Sequence, residues 1–92
     1  MAMKFEWDPE KAKSNIKNHG VSFEEATTVF ADTLSVTIFD TLHSFEEDRY
    51  IIIGSSFKGR TLVVVHVDRG DNIRLISVRL ATKNERRKYE ER

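Results

Sequence analysis

Arginines are concentrated in the second half of this chain, where they could bind an anionic ligand. Residues 1–46 carry a net charge of −4 and residues 47–92 a net charge of +4, although the whole chain is neutral. A guanidinium is planar, permanently charged and able to hold a phosphate through two hydrogen bonds. Arginines gathered on one face would therefore attract a phosphate-containing ligand without making the whole protein basic. The candidates in or beside predicted strands are Arg49, Arg60, Arg74 and Arg79.

The end of the chain adds a second group of cations. Seven of the twenty residues 73–92 are Lys or Arg, and Tyr89 lies among them. An aromatic ring among cations is a common way to hold single-stranded RNA, because bases stack on the ring while the cations bind phosphates. The alternative is that the helix face is merely solvated and that the strand-end arginines pair with acids, namely Glu46, Glu47, Asp48 or Glu85. The cations of this predicted helix are Lys83, Arg86, Arg87, Lys88 and Arg92.

RNA cleavage also needs groups that transfer protons, and arginine stays protonated at ordinary pH. The 2′-hydroxyl must lose a proton, the 5′-oxygen must gain one, and the phosphorane charge must be stabilised. His19 ends a predicted helix, whose dipole favours an imidazolium there, although a histidine satisfied by helix carbonyls is the alternative. His43 lies in a polar loop, which predicts an exposed side chain. His66 lies inside a predicted strand, which predicts a side chain packed against its neighbours. By residue type, the candidates are His19, His43, Glu47, His66, Glu85 and Tyr89.

Other common active-site chemistries have little support in the sequence. The chain has no cysteine, which excludes disulfides, thiolate nucleophiles and Cys-ligated zinc. Its three histidines lie in different predicted elements without the paired spacing of metal ligands. There is neither a Gly-rich phosphate loop nor a Gly-x-Ser-x-Gly elbow. The sequence therefore contains no local metal motif, although a metal site assembled from distant residues remains open.

Composition indicates a soluble, folded protein. The chain is 39% hydrophobic and 33% charged, unlike a disordered chain. Its apolar runs are too short to span a membrane, and no signal peptide opens it. The sequence therefore predicts a cytoplasmic location and a single domain over residues 1–92.

Helix signals are clear at three places. Asp8, followed by proline, predicts the start of a helix, and Gly20 predicts its end after Asn18 or His19. Capping boxes at Ser22-Phe23-Glu24-Glu25 and Thr82-Lys83-Asn84-Glu85 predict two further helices. The second helix is expected to end near residue 31, and the third occupies the basic end of the chain.

Strand patterns fill most of the remaining chain. The predicted strands cover residues 3–7, 34–39, 49–55, 60–68 and 72–80. The order β-α-α-β-β-β-β-α and the short connections predict an α+β fold, with an antiparallel twisted sheet on which the helices pack. Regular alternation in the last strand would place Arg74 on the face of Val78, and Arg79 on the face of Leu75.

Three segments, in this order, resemble the BrnT family of toxins: FEWDPEKAKSNIKNHGVSFEEA, HSFEEDRYIIIGSSFKGRTLVVV and RLISVRLATKNERRKYEE. The resemblance runs from Phe5 to Glu91. It implies a RelE-like fold and a metal-independent endoribonuclease toxin of a bacterial type II toxin–antitoxin system. Such a toxin cleaves RNA and inhibits translation without a metal or an organic cofactor. It also implies a hetero-oligomer with a BrnA-like antitoxin, so that operator DNA is bound only through the antitoxin.

With this resemblance, the candidate residues receive predicted roles. As catalytic phosphate clamps we predict Arg60, Arg79 and Arg86. As proton-transfer groups we predict His19, Glu85 and Tyr89. As further RNA-phosphate ligands we predict Arg49, Arg74, Lys83 and Arg87. Two other functions remain open, a non-catalytic RNA- or DNA-binding module and a structural partner subunit of a DNA-binding repressor. The basic face could equally be the surface that the antitoxin covers.

Overall fold

The computed structural model describes residues 3–91, which form three helices and one five-stranded sheet. The elements in chain order are β1 (Lys4–Glu6), α1 (Pro9–His19), α2 (Phe23–Val29), β2 (Val36–Phe39), β3 (Arg49–Ser55), β4 (Thr61–Arg69), β5 (Asn72–Leu80) and α3 (Lys83–Glu91). The α+β class and the order of elements are as predicted, and β3 and β5 have their predicted bounds. Of the predicted helix cations, Arg92 lies outside the described residues.

The sheet has the strand order β1-β5-β4-β3-β2 and is mixed. Strands β2 to β5 form the predicted antiparallel meander. Strand β1, however, runs parallel to β5, with Phe5 opposite Ile73. The prediction of a wholly antiparallel sheet was therefore wrong. A hairpin fixes the direction of a neighbouring strand, but β1 continues into two helices, so its partner is chosen by tertiary packing.

Helices α1 and α2 cover one face of the sheet, and the core lies between them. Its fully buried side chains come mainly from α2, β4 and β5 and include Phe23, Val29, Leu62, Leu75 and Val78. Burial of apolar side chains like these supplies most of the stability of a small domain. The opposite face of the sheet is not covered by these two helices, and we call it the open face.

The buried amide of Asn15 joins α1 to β5. Its Nδ2 donates to the carbonyl oxygens of Val21 and Val78, at 2.9 and 2.8 Å, and its Oδ1 accepts from the Val78 N–H at 3.1 Å. Each of these polar groups would otherwise be buried without a partner, which is costly. Asn15 thus fixes α1 on the covered face of the sheet.

The helix ends follow the sequence signals with one exception. Thr82 and Glu85 form both hydrogen bonds of a capping box, at 2.8 and 3.2 Å. Ser22 accepts from the Glu25 N–H at 3.0 Å, but the carboxylate of Glu25 binds elsewhere. Gly20 ends α1 with a φ of 69°, the left-handed conformation that glycine adopts readily. Within residues 3–91, no helix combines the length and apolar character needed to cross a membrane.

A β-bulge in β5 interrupts the alternation of its side chains. Val65 pairs with Ser77, whereas the next residue, His66, pairs with Leu75. Ile76 is therefore an additional residue that has no counterpart on β4. Such a bulge changes which face the following side chains occupy.

Because of the bulge, Arg74 and Arg79 do not occupy the predicted faces of the sheet relative to Val78 and Leu75. Leu75 and Val78 both pack in the core although they are three residues apart. Arg74 and Arg79 each neighbour one of these core residues in the chain, so both point to the open face. The prediction that paired Arg74 with Val78, and Arg79 with Leu75, was wrong because it assumed uninterrupted alternation.

Gly54 allows the connection after α2 to lie directly on β3. A Cβ atom at this position would lie 2.9 Å from Cγ1 of Val29 and 3.1 Å from Oδ2 of Asp32. Any larger residue would push this connection away from the strand. The close approach lets Asp32 accept a hydrogen bond from the Ser55 N–H at 2.9 Å.

Candidate functional site

The open face of the sheet carries a groove of about 370 Å³. We call it the open-face groove and define it by its floor and its rim. The floor is mainly apolar, with Ile51, Val63, Val65 and Ile76 beside the polar Ser77. The rim is polar and includes Asp40, His43, Arg49 and Arg79. An apolar floor with a few convergent charged groups is typical of a ligand-binding site.

Arg79 is held in place at the rim by Glu85. Its Nη1 and Nη2 donate to Oε1 and Oε2 of Glu85 at 2.6 and 2.8 Å. These hydrogen bonds lower the pKa of Glu85 to about 2, and they raise the pKa of Arg79. A carboxylate with such a low pKa is a poor proton acceptor near neutral pH. Glu85 is therefore placed to orient Arg79 and not to transfer a proton. The side chain of Arg79 remains 41% exposed.

Two further arginines lie along the same face. Arg49 is opposite Val67 on β4, and Val67 is opposite Arg74 on β5. The backbones of Arg49 and Arg74 are therefore two strands, or about 10 Å, apart. Arg74 forms an ion pair with Glu6 at 3.2 Å. Arg49 lines the groove, and its side chain has no carboxylate partner among residues 3–91.

Arg60 lies on the other side of the sheet. Its guanidinium binds both carboxylate oxygens of Glu25, with Nε 3.0 Å from Oε2. The side chain of Glu25 is only 1% exposed and also accepts from the Ser56 hydroxyl at 2.7 Å. The hydrogen bonds from Arg60 lower the pKa of Glu25. The structure therefore does not bring Arg60 together with Arg79, although both were predicted as phosphate clamps.

Helix α3 presents its cations to solvent. Its inward positions are Glu85 and Tyr89, one helical turn apart. The hydroxyl of Tyr89 donates to Oδ2 of Asp32 at 2.5 Å, which ties α3 to the connection after α2. The predicted ligands on the exposed surface of α3 are Lys83, Arg86 and Arg87. Asp32 is not among the candidates predicted from the sequence, because no local signal links it to residue 89.

His19 is exposed at the end of α1, which Asn15 holds on the covered face of the sheet. The groove lies on the opposite face, so the structure separates His19 from Arg79. His66 also points away from the groove. The residue is 5% exposed, and its ring lies between those of Phe30 and Tyr50, with centroid distances of 4.9 and 6.0 Å.

Burial of His66 predicts a loss of stability at mildly acidic pH. Burial lowers its pKa from 6.5, and its Nδ1 has no hydrogen-bond partner among residues 3–91. Below pH 6.5 the unfolded chain gains a proton that the folded chain resists, so the free energy of unfolding should fall as pH decreases. Urea unfolding between pH 7.5 and 5 should show a smaller loss for His66→Phe than for the wild type. Equal losses would contradict the prediction.

The pair of Asp40 and His43 at the rim of the groove was not predicted from the sequence. His43 is exposed, as predicted, but its Nδ1 lies 3.0 Å from Oδ2 of Asp40. An Asp-x-x-His spacing was the only available signal, and it is weak without knowledge of the turn. Within residues 3–91, no cluster of three or more metal-ligating side chains is present.

Comparisons with known proteins identify the class to which this chain belongs. A family model described as "Ribonuclease toxin, BrnT, of type II toxin-antitoxin system" matches residues 7–85. The protein is therefore a toxin of the ribonuclease class from type II toxin–antitoxin systems. Within that class, the chain belongs to the BrnT family.

The fold is also similar to that of a solved structure. The crystal structure of the Brucella abortus ribonuclease toxin BrnT superposes with a TM-score of 0.69 at 24% sequence identity. The alignment covers 89% of this chain and 100% of that chain. A comparison with curated proteins gives no match.

Proposed function

We propose that the protein is a metal-independent endoribonuclease that binds and cleaves RNA in the open-face groove. The observation that carries the proposal is the position of Arg49 and Arg79 on the rim of one groove with an apolar floor. Both arginines can bind phosphate, and the apolar floor can contact sugars and bases. Membership in a family of ribonuclease toxins supports RNA as the ligand.

The spacing of the arginines suits a chain of nucleotides better than a single phosphate. Val63 pairs with both Arg79 and Ile53, and Arg49 lies four residues before Ile53 on β3. Strand geometry therefore separates the backbones of Arg49 and Arg79 by roughly 15 Å. Two long side chains at that distance would hold different phosphates of one strand. The exposed cations of α3 would extend this surface beyond the groove.

We assign different roles to the other predicted catalytic residues. Arg79 acts as the phosphate clamp and Glu85 orients it, whereas Arg60 stabilises α2 through Glu25. Tyr89 positions α3. Arg86 lies on the exposed surface of α3 and contributes to RNA binding, together with Lys83 and Arg87, while Arg74 contributes from the open face.

The remaining family expectations form part of this proposal. The protein would act in the cytoplasm, inhibit translation by cutting RNA, and be neutralised by a BrnA-like antitoxin that covers the groove. The two proteins would form a hetero-oligomer that binds operator DNA only through the antitoxin. The RelE-like character of the fold remains a prediction.

RNA cleavage by the purified full chain tests this function. We expect a labelled single-stranded RNA to be cut equally well with and without EDTA, and its all-2′-deoxy counterpart to remain intact. RNA affinity should fall steeply with salt, because phosphate contacts release counterions. Binding without cleavage would instead support the RNA-binding module, and neither binding nor cleavage would favour the structural subunit.

A further inference from the structure

Asp40 and His43 form a carboxylate–imidazole pair on the rim of the open-face groove. The two carboxylate oxygens of Asp40 lie 3.0 and 3.2 Å from Nδ1 of His43. The side chain of Asp40 is 9% exposed, whereas that of His43 is 63% exposed. The imidazole is therefore held at one nitrogen and accessible at the rest of its ring.

The backbone around Asp40 is firmly held. Its N–H donates to the Arg49 carbonyl oxygen at 2.8 Å, and its Oδ1 accepts from the Leu42 N–H at 3.2 Å. The hydroxyl of Ser44 donates to the Asp40 carbonyl oxygen at 2.5 Å and accepts from the Arg49 N–H at 2.9 Å. These bonds close the loop against the start of β3 and fix His43 relative to Arg49.

We infer that His43 is the general base of the ribonuclease reaction and that Asp40 is its positioning residue. This inference rests on the function proposed above. An ionised carboxylate only accepts hydrogen bonds, so the pair with Asp40 places a proton on Nδ1 of His43. In neutral imidazole Nε2 then carries the free lone pair, as in other carboxylate–histidine pairs.

The proposed step uses Nε2 to activate the substrate. Nε2 takes the proton of a 2′-hydroxyl, and the 2′-oxygen attacks the adjacent phosphorus while the bond to the 5′-oxygen breaks. The 5′-oxygen takes a proton from water, and the imidazolium returns its proton to the resulting hydroxide. The products are a 2′,3′-cyclic phosphate and a 5′-hydroxyl, with the phosphorane charge held by Arg79 while Arg49 binds a neighbouring phosphate.

The surroundings favour His43 over the proton-transfer groups predicted from sequence. Glu85 is committed to Arg79, Tyr89 donates to Asp32, and His19 lies on the opposite face of the sheet. The groups facing His43 on the rim and in its own loop are Asp40, Glu46, Glu47 and Arg49, with Arg79 on the rim of the same groove.

Substitution of His43 in the full chain tests the inference. We expect His43→Gln to lower the single-turnover cleavage rate by about 100-fold or more, the usual contribution of a general base. Affinity for a non-cleavable 2′-deoxy oligonucleotide and the urea midpoint should stay near wild type, because His43 is exposed. Lys11→Gln, which removes a charge from α1, is the control and should retain the wild-type rate. Added imidazole should partly restore His43→Ala.

The pH dependence separates catalysis from a structural role. A general base acts only in its unprotonated form, so the wild-type rate should rise with pH and this rise should be absent in His43→Gln. Asp40→Asn should lower the rate by about tenfold or more, because it no longer holds the reactive tautomer. Asp40→Asn should also change the pH at which the cleavage rate rises. A variant that only loses folded protein would not change this pH.

Each other outcome has a defined meaning. A wild-type rate in His43→Gln overturns the inference, and the proposed groove survives if Arg79→Ala is still impaired. Loss of activity in His19→Gln but not in His43→Gln also overturns it, as do products with a 5′-phosphate. Absence of RNA cleavage by the wild type overturns the proposed function itself, and the inference with it.

Discussion

Replacing Arg60 with alanine is expected to lower the free energy of unfolding by about 1–3 kcal/mol, the usual cost of leaving a buried polar group without its partner. The carboxylate of Glu25 would retain only the hydrogen bond from Ser56, in a position that is 1% exposed. A domain of this size has a total stability near the lower end of about 5–15 kcal/mol. Urea unfolding at pH 7 measures the change. Loss of activity in Arg60→Ala would therefore be no evidence that Arg60 contacts RNA.

Two variants show whether the destabilisation comes from the unpaired carboxylate of Glu25 or simply from the removal of an arginine. Arg74→Ala breaks a partly exposed ion pair with Glu6 and should cost no more than about 1 kcal/mol. Adding Glu25→Gln to Arg60→Ala removes the unpaired charge and should recover part of the loss. An Arg60→Ala midpoint equal to that of the wild type would contradict the structural role.

The same ion pair sets a direction for the response to acid. Arg60 holds the pKa of Glu25 below 4.5, so the stabilisation is complete above that pH and disappears as pH falls through the folded-state pKa. This acid response is separate from that of His66, which begins near pH 6.5.

Arg79→Ala is expected to reduce kcat/KM for RNA cleavage by about 100- to 1,000-fold, the range found when one donor to a transition-state oxyanion is removed. The fold should survive, because Arg79 is on the open face and Glu85 keeps its hydrogen bonds to Thr82. Binding of a 2′-deoxy oligonucleotide should weaken. The slope of log affinity against log salt should decrease by about 0.7 if one phosphate contact is lost from a single strand.

Two matched substitutions show whether the loss of cleavage in Arg79→Ala comes from the lost charge or from the lost hydrogen-bond geometry. Arg79→Lys keeps the charge but cannot form the same paired hydrogen bonds, so its rate should fall between those of the wild type and Arg79→Ala. Lys58→Ala removes one positive charge from the β3–β4 turn and should leave cleavage unchanged. Equal losses in Lys58→Ala and Arg79→Ala would reduce the role of Arg79 to overall charge.

Local features of the fold were predictable because their causes are local. A side-chain oxygen at Asp8 or Thr82 satisfies the first N–H groups of a helix, and glycine at position 20 adopts a positive φ without strain. Strands β3 and β5 were predicted with their correct bounds because β-branched runs end at turn residues. The resemblance of three ordered segments to BrnT toxins is likewise a property of sequence, and the match over residues 7–85 confirms it.

Tertiary structure decided which of the candidate residues meet. Arg60 is 35 positions from Glu25, and Arg74 is 68 positions from Glu6, so no local pattern selects these partners. The bulge at Ile76 places Arg79 on the open face, which simple alternation could not reveal.

The sequence by itself determined the helix ends, the strand order along the chain, the family and the supply of arginines. Only the folded chain determined that β1 lies parallel to β5, and that Arg49, Arg79 and the Asp40–His43 pair share one groove. Capping and propensity act within one or two turns of backbone, whereas burial and strand register depend on segments that meet only after the chain has folded.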